Sequence, residues 1–360
     1  MARIAFYAPL KSPHHPVPSG EREIARNFMR VLEHEGHTPV LASELRTFEK
    51  RGDAVTQAAL IDQAERACTG LVAQGQKDKW AAWVTYHNYY KAPDLLGPTV
   101  SKALGIPYVL IEATRASKRL GGPWDAFERK AEEAIDLADV VFHFTERDAE
   151  ALRANLRDGQ QLVALPPFLA IETLPAAAIG QAPLVLIAGM MRAGDKLASY
   201  AIAAEALTHM PDGPWRVEIA GDGPMREEIA TLMAPFGERV QFLGQLDAAG
   251  MAAAYQRARV FLWPGVNEAF GMAYLEAQAH GVPVVAENRP GVNEVVAPDG
   301  LVPVGMPEAL AASVLRVLND PDCHDVRAQA AQDLIAESHL MPAARRRVWR
   351  ILTPLLKDIP

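Results

Sequence analysis

The 360-residue chain contains only two cysteines, Cys68 and Cys323, and neither belongs to a C-x-x-C pair. A disulfide framework or a thiolate metal cage is therefore not expected, and a reducing compartment is the default expectation. Basic residues are also scarce, because 36 Lys and Arg stand against 44 Asp and Glu, for a formal net charge of -8. Since nucleic-acid binding requires a surplus of positive charge, this composition argues against a nucleic-acid partner.

Long hydrophobic runs are missing as well, since no apolar stretch approaches the roughly 18 residues of a membrane span. The start, "MARIAFYAPL", is more typical of a first strand than of a secretory signal, which has a longer apolar core and a small-residue cleavage site. We therefore expect a cytoplasmic protein. The hydrophobic content of 49% is sufficient for two domains, each with its own core.

Short apolar runs alternate with longer amphipathic segments along the chain. "RIAFYA", "AAWVTYH", "PYVLIEA" and "DVVFHFT" predict strands, and "EREIARNFMRVLEHEGH" predicts a helix that stops at Gly36. This alternation is typical of an α/β protein with parallel sheets covered on both faces. It is interrupted by the Pro- and Ala-rich residues 166–183, an expected interdomain linker, and restarts at "LVLIAGM". We expect two domains, residues 1–170 and 171–342, with a terminal helix of about residues 343–360 packing back on the first.

That terminal segment, "MPAARRRVWRILTPLLKDIP", is basic and amphipathic. The simpler interpretation is a packed helix with a solvated basic face. The alternative is a peripheral contact with the inner face of a membrane, because Trp349, Ile351 and Leu352 flank a group of arginines. These arginines are Arg345, Arg346, Arg347 and Arg350.

The stretch "NEAFGMAYLEAQAHGVPVVA", residues 267–286, places Glu268 and Glu276 eight positions apart. A loop, a helix starting near Gly271 and a buried strand are predicted in that order. The first amides of a helix lack internal acceptors, so together with the helix dipole they favour an anion such as a diphosphate near Phe270. Carboxylates accept hydroxyl donors, so one glutamate suits a ribose and the other a sugar. A helix start with two surface glutamates is the alternative.

Two other loops follow predicted strands of the same half. "GMMRAGDKLASY" supplies Arg192 and Lys196, which are suitable cations for a diphosphate. "WRVEIAGDG" runs into Gly221 and Gly223, which permit a sharp turn and a close approach of the backbone to a ligand. Open α/β sheets bind ligands at the carboxyl ends of their strands, so we expect these loops to converge on one crevice.

These elements, in this order over residues 184–300, resemble the GT-B fold retaining glycosyltransferases of family GT4, also called glycosyl transferases group 1. The resemblance is carried by the E-x7-E motif "EAFGMAYLE", the "GDGP" turn before the strand "VQFLG", and "GVNEVV" with Glu294. It implies two Rossmann-like β/α/β domains that face each other across a cleft. It also implies transfer of a sugar from a nucleoside diphosphate sugar to an acceptor hydroxyl, with retention of anomeric configuration and without a metal.

The resemblance also implies roles for individual residues. Glu276 would hold the ribose of the donor, and Glu268 would contact hydroxyls of the donor sugar. The diphosphate would be bound by Arg192, Lys196 and the backbone amides near Phe270, Gly271 and Met272.

The first domain is similar to the family more loosely. "VPSGEREIAR" resembles the glycine-bearing first loop, in which Gly20 would approach the donor phosphate. "WVTYHNYYKAPDLLGP" resembles the region of a strand-ending histidine, which indicates His87. Family members often have another histidine after the next strand, where "YVLIEATRA" has Glu112 instead. Glu112 is then either an acceptor of a hydrogen bond from the acceptor hydroxyl or a structural residue.

Other classes of function are compatible with parts of this pattern. A nucleotide-sugar epimerase of the same architecture and a non-catalytic nucleotide-sugar binding protein are the alternatives. An NAD enzyme is disfavoured, because Arg226 occupies the third position of the triple-glycine fingerprint. The D-x-D at residues 320–322 is interpreted as a turn, and His14 and His15 as part of a proline-rich loop. We therefore expect no metal and no cofactor apart from the nucleotide sugar as co-substrate.

Overall fold

The computed structural model describes residues 2–17 and 19–357, and within them the chain forms two α/β units. The first unit extends to Leu165 and includes the residues from Ala344 onward, and the second is Pro166–Ala343. Each unit, over the described residues, is built on one six-stranded sheet in which all assigned strand pairs are parallel. The predicted α/β class with two Rossmann-like domains is confirmed.

The first unit contains six strands and five helices of its own within the described residues. The strands are β1 (Arg3–Tyr7), β2 (Thr38–Ser43), β3 (Trp80–Asn88), β4 (Tyr108–Ala113), β5 (Val140–His143) and β6 (Gln161–Ala164). The helices are α1 (Gly20–Leu32), α2 (Ala54–Asp78), α3 (Gly97–Leu104), α4 (Asp125–Leu137) and α5 (Glu146–Arg153), with a 3-10 turn at Ser117–Arg119. Helix α1 ends at Leu32 and not at Gly36, because Gly36, with φ of 81°, lies in a turn closed by the His37 N–H and the His34 carbonyl at 2.8 Å.

The second unit repeats the alternation with shorter strands. The strands are β7 (Leu184–Ala188), β8 (Arg216–Ala220), β9 (Val240–Gly244), β10 (Val260–Leu262), β11 (Val284–Glu287) and β12 (Leu301–Val302). The helices are α6 (Asp195–Thr208), α7 (Arg226–Met233), α8 (Ala248–Arg257), α9 (Met272–Ala279), α10 (Pro307–Asn319), α11 (Pro321–Leu334) and α12 (Met341–Lys357), the last continuing into the first unit. Short 3-10 turns span Ala234–Arg239, Val292–Glu294 and Pro298–Gly300, and a π-helical turn spans Ile335–His339.

The order of the strands defines where each sheet can hold a ligand. The first sheet has the order β2-β1-β3-β4-β5-β6 and the second β12-β11-β10-β7-β8-β9. The direction of winding reverses between β1 and β3 in the first sheet and between β7 and β10 in the second. Ligands of open α/β sheets bind outside the carboxyl ends of the strands at such switch points. The loops after these four strands are therefore the natural places for a site.

The apolar side of α12 is buried in the first unit. Trp349 is 5% exposed, its indole N–H donates to the Val31 carbonyl at 2.9 Å, and Leu352 is fully buried. Both side chains are therefore used in packing and are not presented to a membrane surface. No helix within residues 2–17 and 19–357 has both the length and the apolar character to cross a membrane.

Candidate functional site

Glycines bring the loops after β7 and β8 into close contact. Gly221 has a φ of 140°, and a Cβ atom there would lie 2.0 Å from the Gly189 carbonyl oxygen. Gly223 has a φ of 151°, and a Cβ atom there would lie 2.4 Å from the Met191 carbonyl oxygen. The close approach that these two glycines permit is thus an approach to the backbone of the neighbouring loop. A side chain at either position would push the two loops apart.

A cavity of about 480 Å³ lies at the ends of these strands, entirely within the second unit. The backbone of the glycine loops forms part of its wall, and the side chains of Arg192 and Glu276 line it. Leu246, Met251 and Ala273 add an apolar surface. A cation, a carboxylate and an apolar patch around one cavity suit a ligand with an anionic part, hydroxyl groups and a flat ring.

Glu276 is fixed in this cavity by a residue that the sequence analysis did not identify. The hydroxyl of Tyr255 donates to Glu276 Oε2 at 3.0 Å, and Tyr255 is itself buried in α8. Burial raises the pKa of Glu276, and the hydrogen bond from Tyr255 opposes that rise. The Tyr255 ring stacks on His280 with centroids 5.1 Å apart. Nothing in the sequence around Tyr255 distinguishes it from an ordinary core aromatic residue.

Lys196 and Glu268 meet at the switch point of the second sheet. Lys196, in the first turn of α6, forms an ion pair with Glu268 Oε1. The same oxygen accepts the indole N–H of Trp263 at 2.9 Å, and the ammonium group lies 5.5 Å from the centroid of the Trp263 ring. Trp263, which directly follows β10, was also missed. Its signal in the sequence is an aromatic residue with a polar atom between a buried strand and the predicted binding loop.

The loop that carries Glu268 is tied to the start of α6. Asn267, with a left-handed φ of 48°, donates from its amide to Asp195 Oδ1 at 3.0 Å. The N–H of Val266 donates to the buried Ser199 hydroxyl at 3.0 Å. These bonds hold the loop against α6, so the contact between Lys196 and Glu268 does not depend on the ion pair alone.

Helix α9 begins at Met272, directly after Gly271, as the sequence predicts. Gly271 has a φ of 63°, and a Cβ atom there would lie 2.7 Å from the Tyr274 ring. Phe270, Gly271 and Met272 therefore surround the amino end of α9, whose first amides have no acceptor within the helix.

The predicted residues of the second unit thus fall into two neighbouring groups. Those that line the cavity are Arg192, Gly221, Gly223 and Glu276, whereas Lys196 and Glu268 form the ion pair outside its lining.

A second group of polar residues lies at the switch point of the first sheet. His87 and Glu112 have φ angles of 67° and 60°, which are uncommon for residues other than glycine. His87 Nδ1 lies 2.9 Å from Glu21 Oε2 and 4.0 Å from Glu112 Oε2. The hydroxyl of Tyr86 also donates to Glu21 Oε2, at 3.2 Å. The structure therefore brings the predicted pair together and adds Glu21, which directly follows Gly20 at the start of α1.

The three titratable groups shift each other's pKa values. Burial would lower the pKa of His87, but Glu112 and the hydrogen-bonded Glu21 raise it above its ordinary value. Burial opposes ionisation of Glu21, yet the hydrogen bond and charge of His87 lower its pKa. Burial raises the pKa of Glu112, and the charge of His87 opposes that rise. The pair of His87 and Glu21 therefore favours its charged form, whereas burial favours the neutral form of Glu112.

Gly20 itself is exposed, and a Cβ atom there would meet no other atom within 4 Å. Neighbouring residues of the protein therefore leave space beside the Gly20 backbone at the amino end of α1.

The sequence motifs that could suggest a metal are the D-x-D at residues 320–322 and the pair His14 and His15. Asp320 caps α11, because its Oδ1 accepts the N–H of Cys323 at 3.0 Å. Asp320 therefore joins α10 to α11, whereas Pro321 and Asp322 form the start of α11 and not the predicted turn. Among residues 2–17 and 19–357, no group of three or more His, Cys, Asp or Glu side chains is arranged to hold a metal.

Comparisons with known proteins agree with this geometry. Residues 182–320 match the family model described as glycosyl transferases group 1. Alpha-D-kanosaminyltransferase of Streptomyces kanamyceticus is 26% identical over 273 residues, which are 68% of this chain and 70% of that protein. Exopolysaccharide phosphotransferase SCO2592 of Streptomyces coelicolor is 30% identical over 238 residues, 64% of this chain but only 24% of that longer protein. Phosphatidyl-myo-inositol mannosyltransferase of Mycobacterium leprae is 37% identical over 107 residues, 28% of each chain.

Solved structures show the same fold at low sequence identity. Sucrose-phosphate synthase from Thermosynechococcus elongatus has a TM-score of 0.70 at 19% identity, with 100% of both chains covered. Anabaena HepE in complex with UDP and glucose has a TM-score of 0.68 at 16% identity, covering 98% of this chain and 100% of the other.

The chain therefore has the GT-B fold, and its residues 182–320 match the model of the glycosyl transferases group 1. The predicted GT-B fold is confirmed, and the match of residues 182–320, together with the glycosyltransferases among the similar proteins, agrees with the predicted family and enzyme class.

Proposed function

We propose that the chain transfers a glycosyl group from a nucleoside diphosphate sugar to a hydroxyl of an acceptor, with retention of configuration at the anomeric carbon. The observation that supports this most directly is the cavity of the second unit, lined by Arg192 and Glu276. Lys196 lies on the helix that follows β7, and Glu268 lies on the loop that follows β10. These two strands are neighbours at the switch point of the second sheet. The names of the related proteins, several of them glycosyltransferases, support the same reaction class.

Each part of the donor has a chemically matched partner in the second unit. Glu276, held by Tyr255, accepts hydrogen bonds from ribose hydroxyls. Arg192 and the first amides of α9 bind the diphosphate, because helix amino ends and guanidinium groups both favour phosphate oxygens. The apolar part of the cavity takes the base.

Lys196 changes its partner when the donor binds. It is the sole lysine between residues 166 and 343, and it is paired with Glu268. A diphosphate carries more negative charge than one carboxylate and competes for the ammonium group. Glu268 then remains held by Trp263 and accepts hydrogen bonds from the sugar hydroxyls.

Catalysis on this account is electrostatic. Negative charge accumulates on the diphosphate as its bond to the anomeric carbon breaks. Lys196, Arg192 and the amino end of α9 stabilise that charge with groups that are already in place. His87 and Glu112 are assigned to the acceptor, with Glu112 accepting a hydrogen bond from its hydroxyl. Gly20 leaves space for the donor phosphate.

Binding of the donor is tested by thermal shift with a panel of UDP and GDP sugars. A ligand present at 100 times its dissociation constant stabilises a protein by about 2.7 kcal/mol, so at least one donor should raise the melting temperature. Glu276→Ala should lose this shift, whereas Glu228→Gln, an exposed acid of α7, should keep it. A panel without any stabilising nucleotide sugar contradicts the proposal.

Chemistry is tested by transfer from the donor identified in that panel. Lys196→Ala should slow transfer about 100-fold at saturating donor, the size of losing one preorganised electrostatic partner. Arg216→Ala, which removes an exposed cation at the start of β8, is the matched control. Epimerised donor without added acceptor would identify an epimerase, and donor binding without any turnover would identify a binding protein. If the Lys196→Ala variant transfers at the wild-type rate, the assignment of Lys196 to catalysis is wrong.

A further inference from the structure

Four side chains of the first unit, Tyr90, Lys91, Arg119 and Trp124, form an aromatic–cation cluster. The Arg119 guanidinium lies 4.8 Å from the Tyr90 ring centroid and 5.4 Å from that of Trp124. The Lys91 ammonium lies 5.5 Å and 5.6 Å from the same two centroids. The two rings meet edge to face with centroids 5.5 Å apart. Two cations therefore share one pair of aromatic rings, which excludes water from part of each charged group.

The aromatic–cation cluster lies beyond the carboxyl ends of two central strands of the sheet that carries His87. Its members come from the loops after β3 and β4, the strands whose last residues but one are His87 and Glu112. A continuous row of rings joins the two places, because Tyr89 stacks on His87 at 4.6 Å and meets Tyr90 at 5.6 Å between centroids. A molecule bound near His87 is thus separated from Lys91 and Arg119 by only the rings of Tyr89 and Tyr90.

The cations of the aromatic–cation cluster lack carboxylate partners among the described residues, and the one hydrogen bond shown within the cluster runs from Arg119 Nη2 to the Tyr90 hydroxyl at 3.5 Å. Within residues 2–17 and 19–357, neither Lys91 nor Arg119 forms an ion pair within 4.0 Å of a carboxylate, although Glu128 is close enough to feel the charge of Arg119. The Nε of Arg119 and the Nε1 of Trp124 are buried and have no hydrogen-bond acceptor there. Buried donors without acceptors are costly, by about 1–3 kcal/mol each, so native proteins usually provide a partner.

The loop that carries Arg119 and Trp124 is fixed by the rest of the unit. Gln57 donates from its amide to the Pro123 carbonyl at 2.8 Å. Gly52 packs so closely that a Cβ atom there would lie 2.4 Å from Pro123 Cβ. The N–H of Gly121 donates to Asp125 Oδ1 at 2.7 Å. The unpaired donors are therefore held in place before any ligand arrives, which reduces the entropy lost on binding.

We propose that the aromatic–cation cluster is an anion-binding subsite for the acceptor, which is therefore a sugar or polyol bearing a phosphate or carboxylate group. This rests on the proposed glycosyl transfer. An anion accepts hydrogen bonds from the ammonium and guanidinium groups and neutralises both cations at once. A neutral acceptor leaves the two charges unpaired, and a cationic one is repelled by them.

The test is a titration of the full chain with glucose 6-phosphate, glucuronate, inorganic phosphate and glucose. Binding is measured by calorimetry and by tryptophan fluorescence. Glucose 6-phosphate or glucuronate should bind at least about tenfold more tightly than glucose, since hydrogen bonds to charged groups are the stronger ones. Preference between the two identifies the anionic group as phosphate or carboxylate. Trp124→Phe should remove the fluorescence change that accompanies binding.

Charge variants assign the binding to these residues. Arg119→Met and Lys91→Met should each weaken the preferred anion about tenfold. Lys118→Met, which removes an exposed lysine one residue from Arg119, should leave the affinity unchanged. The proposal is overturned if neither anionic sugar binds more tightly than glucose, or if Lys118→Met weakens binding as much as Arg119→Met.

Thermal shift of the same variants with a nucleotide sugar shows that they are folded and tests the donor site separately. If the anion binds and no nucleotide sugar does, the proposed function is wrong and the anion subsite stands. If a nucleotide sugar binds and is used in transfer but anionic sugars bind no better than glucose, the proposed function stands and the subsite is wrong.

Discussion

The two switch points place the same backbone conformation on different residue types. In the second unit Gly271 takes a φ of 63°, and Gly221 and Gly223 also lie at positive φ. In the first unit the corresponding left-handed conformation falls on His87 and Glu112, at 67° and 60°. Glycine adopts it at little cost and leaves the backbone exposed, which suits a nucleotide diphosphate. A side chain adopts it with strain, which is found mainly where that side chain has a function.

The comparison teaches that one fold can build two kinds of site. The cavity of the second unit is walled by backbone and completed by a few side chains, so its shape depends on the absence of Cβ atoms. The His87 group is made of side chains that titrate together, so its chemistry depends on their charges. Substitutions should therefore affect stability most in the second unit and pH dependence most in the first.

The largest effect is expected from Gly221→Ala. The added methyl group meets the Gly189 carbonyl oxygen at a φ that alanine avoids, so the second unit should lose about 3 kcal/mol of unfolding free energy. Urea denaturation monitored by tryptophan fluorescence and circular dichroism measures the loss. Gly20→Ala is the control from the first unit, because its methyl group enters open space and should change stability by less than about 1 kcal/mol. Equal effects of the two substitutions would remove the contrast between the sites.

A smaller effect should appear when the strain at His87 is relieved. His87→Gly and His87→Ala both remove the imidazole, but only alanine retains the left-handed strain, so the glycine variant should be more stable by about 1–2 kcal/mol. Urea denaturation compares the two variants directly. At Ala82, a buried position of β3, glycine should instead destabilise by about 0.5–1 kcal/mol. An alanine variant as stable as the glycine variant would show that His87 is not strained.

Trp263→Phe tests the support of Glu268 in the second unit and should slow transfer. It removes the indole N–H that holds Glu268 while keeping an aromatic ring beside Lys196, so transfer should slow about fivefold, the equivalent of one net hydrogen bond of about 1 kcal/mol. Steady-state kinetics with varied donor measures this change. Trp215→Phe loses the same kind of bond, to the Pro211 carbonyl, away from the site and should keep the wild-type rate. Identical rates for both variants would mean that Glu268 needs no support from Trp263.

The smallest effect concerns pH and the first unit. The pKa of His87 is raised above its ordinary value of 6.5 in the folded state. The unfolded chain therefore releases this proton first, so the stabilisation is complete below about pH 6.5 and is lost as the pH rises through the folded pKa. His87→Gln should flatten the fall in unfolding free energy over that window. The measurement is the urea midpoint against pH, and an unchanged slope in the variant would contradict the assignment of the proton to His87.

The sequence predicted the fold, because helices and strands follow from local patterns. It also indicated residues that the structure places around one cavity, whose role in binding stays a prediction. Alternating apolar runs and amphipathic segments defined the strands and helices, and the start of α9 after Gly271 was predicted to within one residue. Glu268 and Glu276 were recognisable because their motif is contiguous. Tyr255, Trp263 and Glu21 were missed, because each acts through a hydrogen bond whose partner no local pattern indicates.

By itself, the sequence determined which segments form two parallel sheets, the glycines that allow tight loops at their ends, and the resemblance of residues 182–320 to the glycosyl transferases group 1. The tertiary structure decided which side chains meet: Lys196 with Glu268 across 72 positions, His87 with Glu21 across 66, and Tyr255 with Glu276 across 21. The physical reason is that periodicity and turn chemistry act over a few residues. Pairing at a switch point depends instead on strand order, which is set by the packing of the whole sheet.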